Sequence, residues 1–179
     1  MAHSIELLLD DRSDSVIRAQ WQRLADAGLP SQLRVKSPTN RPHITLLAAE
    51  RISPDVDDDL RGLTDRLPLE CVVGAALVFG GHSLTLARLI VPSARLLELH
   101  SEVCRLTLPH ITGEPFGHCM PGHWTAHATL ARRVGAEQIG AALAVLGAAA
   151  GDGPADLSAR IVGMRRWDSD ERVDHMLIG

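Results

Sequence analysis

The sequence predicts an α+β fold, with two lobes inside a single domain spanning residues 1–179. Three observations support it. Strand-period and helix-period segments alternate along the chain. The order strand, helix, irregular loop, strand, helix occurs twice, as an internal repeat. No linker-like composition separates the two copies. At 45% hydrophobic and 22% charged residues the composition is that of a globular domain and excludes extensive disorder.

The elements follow in order. Ser4 to Leu9 reads as a strand, and Asp10 to Asp14 supply N-cap candidates. Ile17, Trp21 and Leu24 recur at helical spacing up to about Ala27, where Gly28 and Pro30 stop the helix. Residues 30–41 are polar, basic and irregular, and a strand follows over 42–48. Ser53-Pro54 opens a helix that places Val56, Leu60, Leu63 and Leu67 on one face. Asp55, Asp57, Asp58 and Asp59 in its first turn complement the helix dipole, and this explains them better than a metal cluster does. Strands at 69–79 and 83–91 flank the turn signal Gly80-Gly81. Pro92-Ser93 opens a helix with Leu96, Leu97, Val103 and Cys104 inward. A Gly/Pro/His-rich loop (108–123) precedes a strand at 124–132. Gly135 leads into a helix with Ile139, Leu143 and Leu146 on one face, ended by the GDGP turn at 151–154. Final strands are expected near 158–167 and 172–178.

Composition also limits function. A net charge of −4 argues against gripping duplex DNA by its backbone. Only 3% aromatic residues argue against a long single-stranded RNA track. Three cysteines without a CxxC pair are neither a disulfide framework nor a zinc ribbon, and a reducing cytoplasm suits them. The N-terminal apolar run is too short for a signal peptide, and no stretch reaches the length of a membrane span. A cytoplasmic monomer without cofactor or resident metal is expected.

One tetrapeptide is shared by the two halves: His43-Ile44-Thr45-Leu46 and His127-Ala128-Thr129-Leu130. Each lies in the second strand of its half, directly after the irregular loop. Residues two apart in a strand share a face, so His43 pairs with Thr45 and His127 with Thr129, while the apolar residues between them face helices. If a pseudo-two-fold axis relates the halves, the two His–Thr pairs converge. One imidazole can then accept a proton while the other donates one. The threonine hydroxyls can bond non-bridging phosphate oxygens. Such a site suits phosphodiester cleavage without a metal.

On these motifs the sequence resembles the 2H phosphoesterase superfamily, the 2′-5′ RNA ligase-like and cyclic phosphodiesterase proteins, which carry two His-x-Thr/Ser-x motifs. Arg41-Pro42 before the first motif, Ala131-Arg132 after the second and the segment 91–103 extend the resemblance. It implies a bilobal fold with antiparallel sheets around a central cleft and helices outside. It implies metal-independent chemistry on 2′,3′-cyclic or 2′-5′-linked phosphodiesters at a nucleotide or short RNA end. It implies His127 as base and His43 as acid, with Thr45, Thr129, Arg41 and Arg132 at the phosphate. Strand alternation alone would put Arg133 rather than Arg132 on the His127 face, and both stay candidates. Arg34, Lys36, His123 and Trp124 are candidates for the cleft rim, although Trp124, opposite His127 on the predicted strand, also suits the core. His110, His118, Cys119, His123 and His127 lack the spacing of a zinc module. The alternatives to hydrolysis are ATP-independent 2′-5′ ligation and a catalytically idle nucleotide- or RNA-binding module.

Overall fold

Strand β1 (His3–Leu9) runs into helix α1 (Asp11–Asp26), and the junction is set by chemistry in the sequence. The Asp10 carboxylate accepts the backbone N–H of Ser13 at 3.0 Å, capping the first turn. Ile17, Trp21 and Leu24 are the buried stripe of α1. The structure is a computed structural model and describes residues 2–80, 83–147 and 156–179. The predicted turn at 151–154 and Gly81 lie outside them.

The remaining elements are β2 (His43–Ala49), β3 (Arg51–Ile52), α2 (Asp57–Arg61), β4 (Leu69–Gly80), β5 (Leu84–Ile90), α3 (Ala94–Thr107), β6 (Ile111–Thr112), β7 (His127–Val134), α4 (Ile139–Gly147), β8 (Leu157–Asp168) and β9 (Val173–Ile178). All sheet pairings are antiparallel, in the order β1-β2-β7-β5-β4-β8-β9, and β8 also pairs with β1. Two lobes result. One centres on β1 and β2, the other on β4, β5 and β7. Two links join them. The first half of β8, from Leu157 to Ile161, pairs with β4, and the stretch from Ile161 to Trp167 pairs with β1. On the other side β2 and β7 touch through one register pair, Ile44 with Ala128, and diverge around it.

The repeat is real in three dimensions: β1-α1-β2 corresponds to β5-α3-β7. The helices cross over, since α1 packs on β7 and α3 packs on β2. The core is built from strand residues such as Ile5, Leu7, Ile44, Leu46, Ala128 and Leu130 with Trp21 and Leu24 from α1 and Leu96 and Val103 from α3. Each large aliphatic side chain buried there contributes about 1.5–3 kcal/mol.

Several expectations are corrected. The helix expected over 54–67 breaks into short turns around a five-residue α2, because Gly62 ends it. Asp57 in that acidic run is buried and bonds Arg166 bidentately at 2.7 and 3.0 Å. Leu97 and Leu143 face solvent, and Leu99 and Ala142 take the inward positions. The strand expected from Trp124 begins at His127. The paired two-residue strands β3 and β6 are too short to carry a periodicity in the sequence. No described helix is long and apolar enough to cross a membrane.

Candidate active site

A cleft of about 1040 Å³ opens where β2 and β7 diverge, and His43, Thr45, His127 and Thr129 all line it. The strands deliver them through the same device twice. In the first lobe the register slips by one residue at Leu46, between the pairs Ile5–Leu47 and Glu6–Thr45. In the second it slips at Leu130, between Leu86–Ala131 and Ala87–Thr129. Each motif leucine is thus the extra residue of a β-bulge, which bends the strand and re-aims its side chains. The same strand places the two arginines differently, and a further slip between Leu84–Val134 and Leu86–Ala131 takes in both. Arg132 lines the cleft and Arg133, held at φ 57°, does not.

The imidazoles are oriented in matching ways. His43 Nδ1 lies 2.8 Å from the carbonyl oxygen of Arg41, and His127 Nδ1 lies 2.7 Å from that of Thr125. A carbonyl oxygen only accepts, so both Nδ1 atoms carry a proton. In a neutral ring each Nε2 is then left as an acceptor.

The motif backbones are braced crosswise. The Trp21 indole N–H on α1 donates to the Thr129 carbonyl oxygen at 2.9 Å, and the Trp124 indole N–H donates to that of Thr45 at 2.9 Å. Where β2 and β7 part, these bonds satisfy carbonyls that a continuous ladder would have satisfied. Trp124 in turn stacks on His100 of α3, with centroids 4.0 Å apart and planes at 6°. The buried His100 Nε2 lies 3.1 Å from Leu46 O and 2.8 Å from Cys119 O. Burial pushes His100 below its ordinary value, against those two hydrogen bonds.

The neighbours of the two histidines differ. Glu6 stands opposite Thr45 in the β1–β2 ladder, and its Oε1 is 3.6 Å from His43 Nε2. Burial alone would raise the Glu6 pKa, but the charges of His43 and Arg165 and the Ser4 hydroxyl outweigh it and hold Glu6 below the usual carboxylate value. Arg165 on β8 fixes Glu6 through its Nε at 2.9 Å and also bonds Asp174 and the Thr39 carbonyl. In the second lobe Ala87 occupies the position equivalent to Glu6. Half-buried His127 meets the edge of Phe79, at 4.8 Å and 73°. Burial lowers the His127 pKa below 6.5, and Arg132, His43 and His118 push the same way, against the bond to Thr125.

The structure brings His43, Thr45, His127, Thr129, Arg132, His123 and Trp124 into one cleft. It does not bring Arg41, Arg34 or Lys36 into the lining. The Arg41 Nε donates to Asp14 at 3.2 Å, and Arg34 reaches back to the Gly28 carbonyl at 3.5 Å. The cleft side of their loop is lined instead by Gln32, Val35, Ser37, Thr39 and Asn40. Glu6, Arg165, Phe79 and Phe116 were missed by the sequence reading. A polar Ser4 and Glu6 alternating with Ile5 and Leu7 in β1 was the available signal for Glu6. Four of the chain's five aromatic residues, Phe79, Phe116, Trp124 and Trp167, line the cleft. Among the described residues, groups of three metal-ligating side chains close enough to share an ion lie at the β8–β9 turn and not in the cleft.

The chain is similar to known proteins in family and in fold. The family model of the 2′-5′ RNA ligase superfamily matches residues 13–171. Usb1 from Kluyveromyces marxianus, solved with uridine monophosphate, is similar in structure at a TM-score of 0.55 and 11% identity, over 99% of this chain and 97% of that one. E. coli LigT, complexed with 3′-AMP, is similar at 0.53 and 13% identity, over 99% and 93%. A phosphoesterase structure is similar at 0.55 and 13% identity, over 99% and 94%. No curated protein matches the chain.

Proposed function

The chain belongs to the 2′-5′ RNA ligase superfamily, and from that membership and its cleft we propose a metal-independent phosphodiesterase acting on 2′,3′-cyclic phosphates or 2′-5′-linked nucleotide and RNA ends. The observation that carries this reading is the pair of motif histidines, each held by an Nδ1–carbonyl bond in one cleft but set among unlike neighbours. His127, held neutral by burial, takes a proton from the attacking water through Nε2. The water oxygen bonds to phosphorus and the bond from phosphorus to one ribose oxygen breaks. His43, with the Glu6 carboxylate beside it as a counter-charge, delivers a proton from Nε2 to that leaving oxygen. The product is a phosphate monoester and a free hydroxyl. Thr45 and Thr129 donate to the non-bridging oxygens, and Arg132 adds positive charge. Arg41, Arg34 and Lys36 are given no part in the step.

Phe79 and Phe116, both partly exposed at the cleft, offer flat faces for a base. The nucleotides in the structures of Usb1 and LigT fit that expectation. The test is turnover of a nucleoside 2′,3′-cyclic phosphate in EDTA. The expected result is ring opening at an undiminished rate. Absence of turnover on cyclic and 2′-5′-linked substrates alike, with the nucleotide still binding, would instead support an idle binding module.

A further inference from the structure

We propose that His3, Asp168 and Asp170 form a divalent-metal site of the zinc type, separate from the cleft, at the point where the start of β1 meets the β8–β9 turn. His3 is 2% exposed, and neither of its ring nitrogens has a hydrogen-bond partner. A buried polar nitrogen without a hydrogen bond is costly, so the ring needs an explanation. Its Nε2 faces two carboxylates, 3.5 Å from Asp168 Oδ1 and 3.3 Å from Asp170 Oδ2, without hydrogen-bond geometry to either. Those separations are the spacing of ligands around an ion. Metal–nitrogen and metal–oxygen bonds of about 2.0–2.2 Å in a tetrahedron put neighbouring ligand atoms about 3.3–3.6 Å apart. One imidazole and two carboxylates are a donor set that zinc accepts, with water in the fourth position.

The carboxylates are held before any ion arrives. Asp168 Oδ1 accepts the backbone N–H groups of Asp170 at 2.9 Å and Glu171 at 3.1 Å. Arg51 donates to Asp170 Oδ2 at 2.9 Å, the outer-sphere contact that orients a ligating carboxylate. Asp170 is 48% exposed, which gives the ion a way in. Strand alternation sends His3 and Asp168 to the face opposite Ser4 and Trp167, a paired couple lining the cleft. An ion there would pin the strand ends that form one wall of the cleft while staying outside the chemistry. Asp168, Glu171 and His175 form a second, more exposed group that shares Asp168, so the test must separate the two.

The test uses tag-free protein stripped with EDTA and titrated with zinc against a chromophoric chelator, with the thermal midpoint measured alongside. The expected result is one equivalent bound per chain, a raised midpoint and a tetrahedral visible spectrum with cobalt. Asp170→Asn, at a partly exposed position that the fold tolerates, should weaken zinc binding by at least about tenfold. His3→Gln should abolish it, and His175→Gln should leave it intact. No binding by the wild-type chain would overturn the proposal, as would binding that survives His3→Gln and Asp170→Asn or disappears with His175→Gln. Turnover in EDTA tests the phosphodiesterase reading separately, because this site touches none of its residues.

Discussion

The two motif strands are near-copies in backbone and opposites in surroundings. Both β2 and β7 bulge at the motif leucine, both histidines bond the carbonyl two residues earlier, and both motif threonines have their carbonyl braced by a tryptophan. The ladder position that holds Glu6 beside the first motif holds Ala87 beside the second. His43 therefore has a carboxylate neighbour, whereas His127 has Phe79, Arg132 and burial. Repetition of the strand puts two imidazoles in place. Divergence of the strand next to it gives them different neighbours, Glu6 on one side and Ala87 on the other.

The sharpest way to break the comparison is to remove either ring. His43→Ala and His127→Ala should each lower turnover of a cyclic nucleotide by about 10²- to 10⁴-fold, with the thermal midpoint little changed. Equal activity of wild type and either variant would end the acid–base assignment. A smaller effect is expected at Glu6. Glu6→Gln should reduce kcat by about tenfold, the equivalent of about 1.4 kcal/mol of charge stabilisation, with KM nearly constant. Glu6→Asp should recover part of it. Unchanged kcat in Glu6→Gln would remove the basis for the asymmetry.

The braces come next. Trp21→Phe and Trp124→Phe each delete one neutral hydrogen bond to a motif carbonyl, worth about 0.5–1.5 kcal/mol. Both should lower kcat by about two- to tenfold, and by similar amounts if the crosswise bracing works alike in both lobes. A loss confined to one variant would show that the symmetry is only geometric. The smallest effects concern pH. Since the His127 pKa is lowered from 6.5, its ring is more than half neutral at that pH and the acidic limb of the rate profile should lie below 6.5. Stability should fall over the same range. The unfolded chain takes up protons near pH 6.5 that His100 and His127 refuse until lower pH, so the unfolded state binds more protons there. Urea midpoints that stay flat as pH falls from 6.5 would contradict this.

Local signals carried the motif strands and helix α1. A two-residue period set the faces of His43, Thr45, His127 and Thr129, and an Asp cap with a 17, 21, 24 stripe set the helix. What escaped depends on contacts distant in sequence. Glu6 acquires meaning only through its register with Thr45, and Arg165 only by crossing 159 positions to reach it. The choice between Arg132 and Arg133 rests on a bulge, which strict alternation cannot foresee. The basic loop misled because charge says nothing of direction: Arg41 turns to Asp14 instead of the cleft. Aromatic content misled in the same manner. A low count weakened the case for base stacking, yet nearly all of those rings gather at one cleft.

Changing the leaving group tests the division of labour between the histidines most directly. A deoxynucleotide 4-nitrophenyl phosphodiester releases nitrophenolate, which needs no proton, so the general acid becomes dispensable while the base does not. Turnover of this substrate and of a 2′,3′-cyclic nucleotide should be compared in wild type, His43→Ala and His127→Ala. His43→Ala should regain near wild-type rates on the nitrophenyl diester, while His127→Ala should stay about 10²- to 10⁴-fold down on both substrates. Rescue of His127→Ala with continued failure of His43→Ala would reverse the roles, and rescue of neither would contradict proton transfer to the leaving oxygen by either ring.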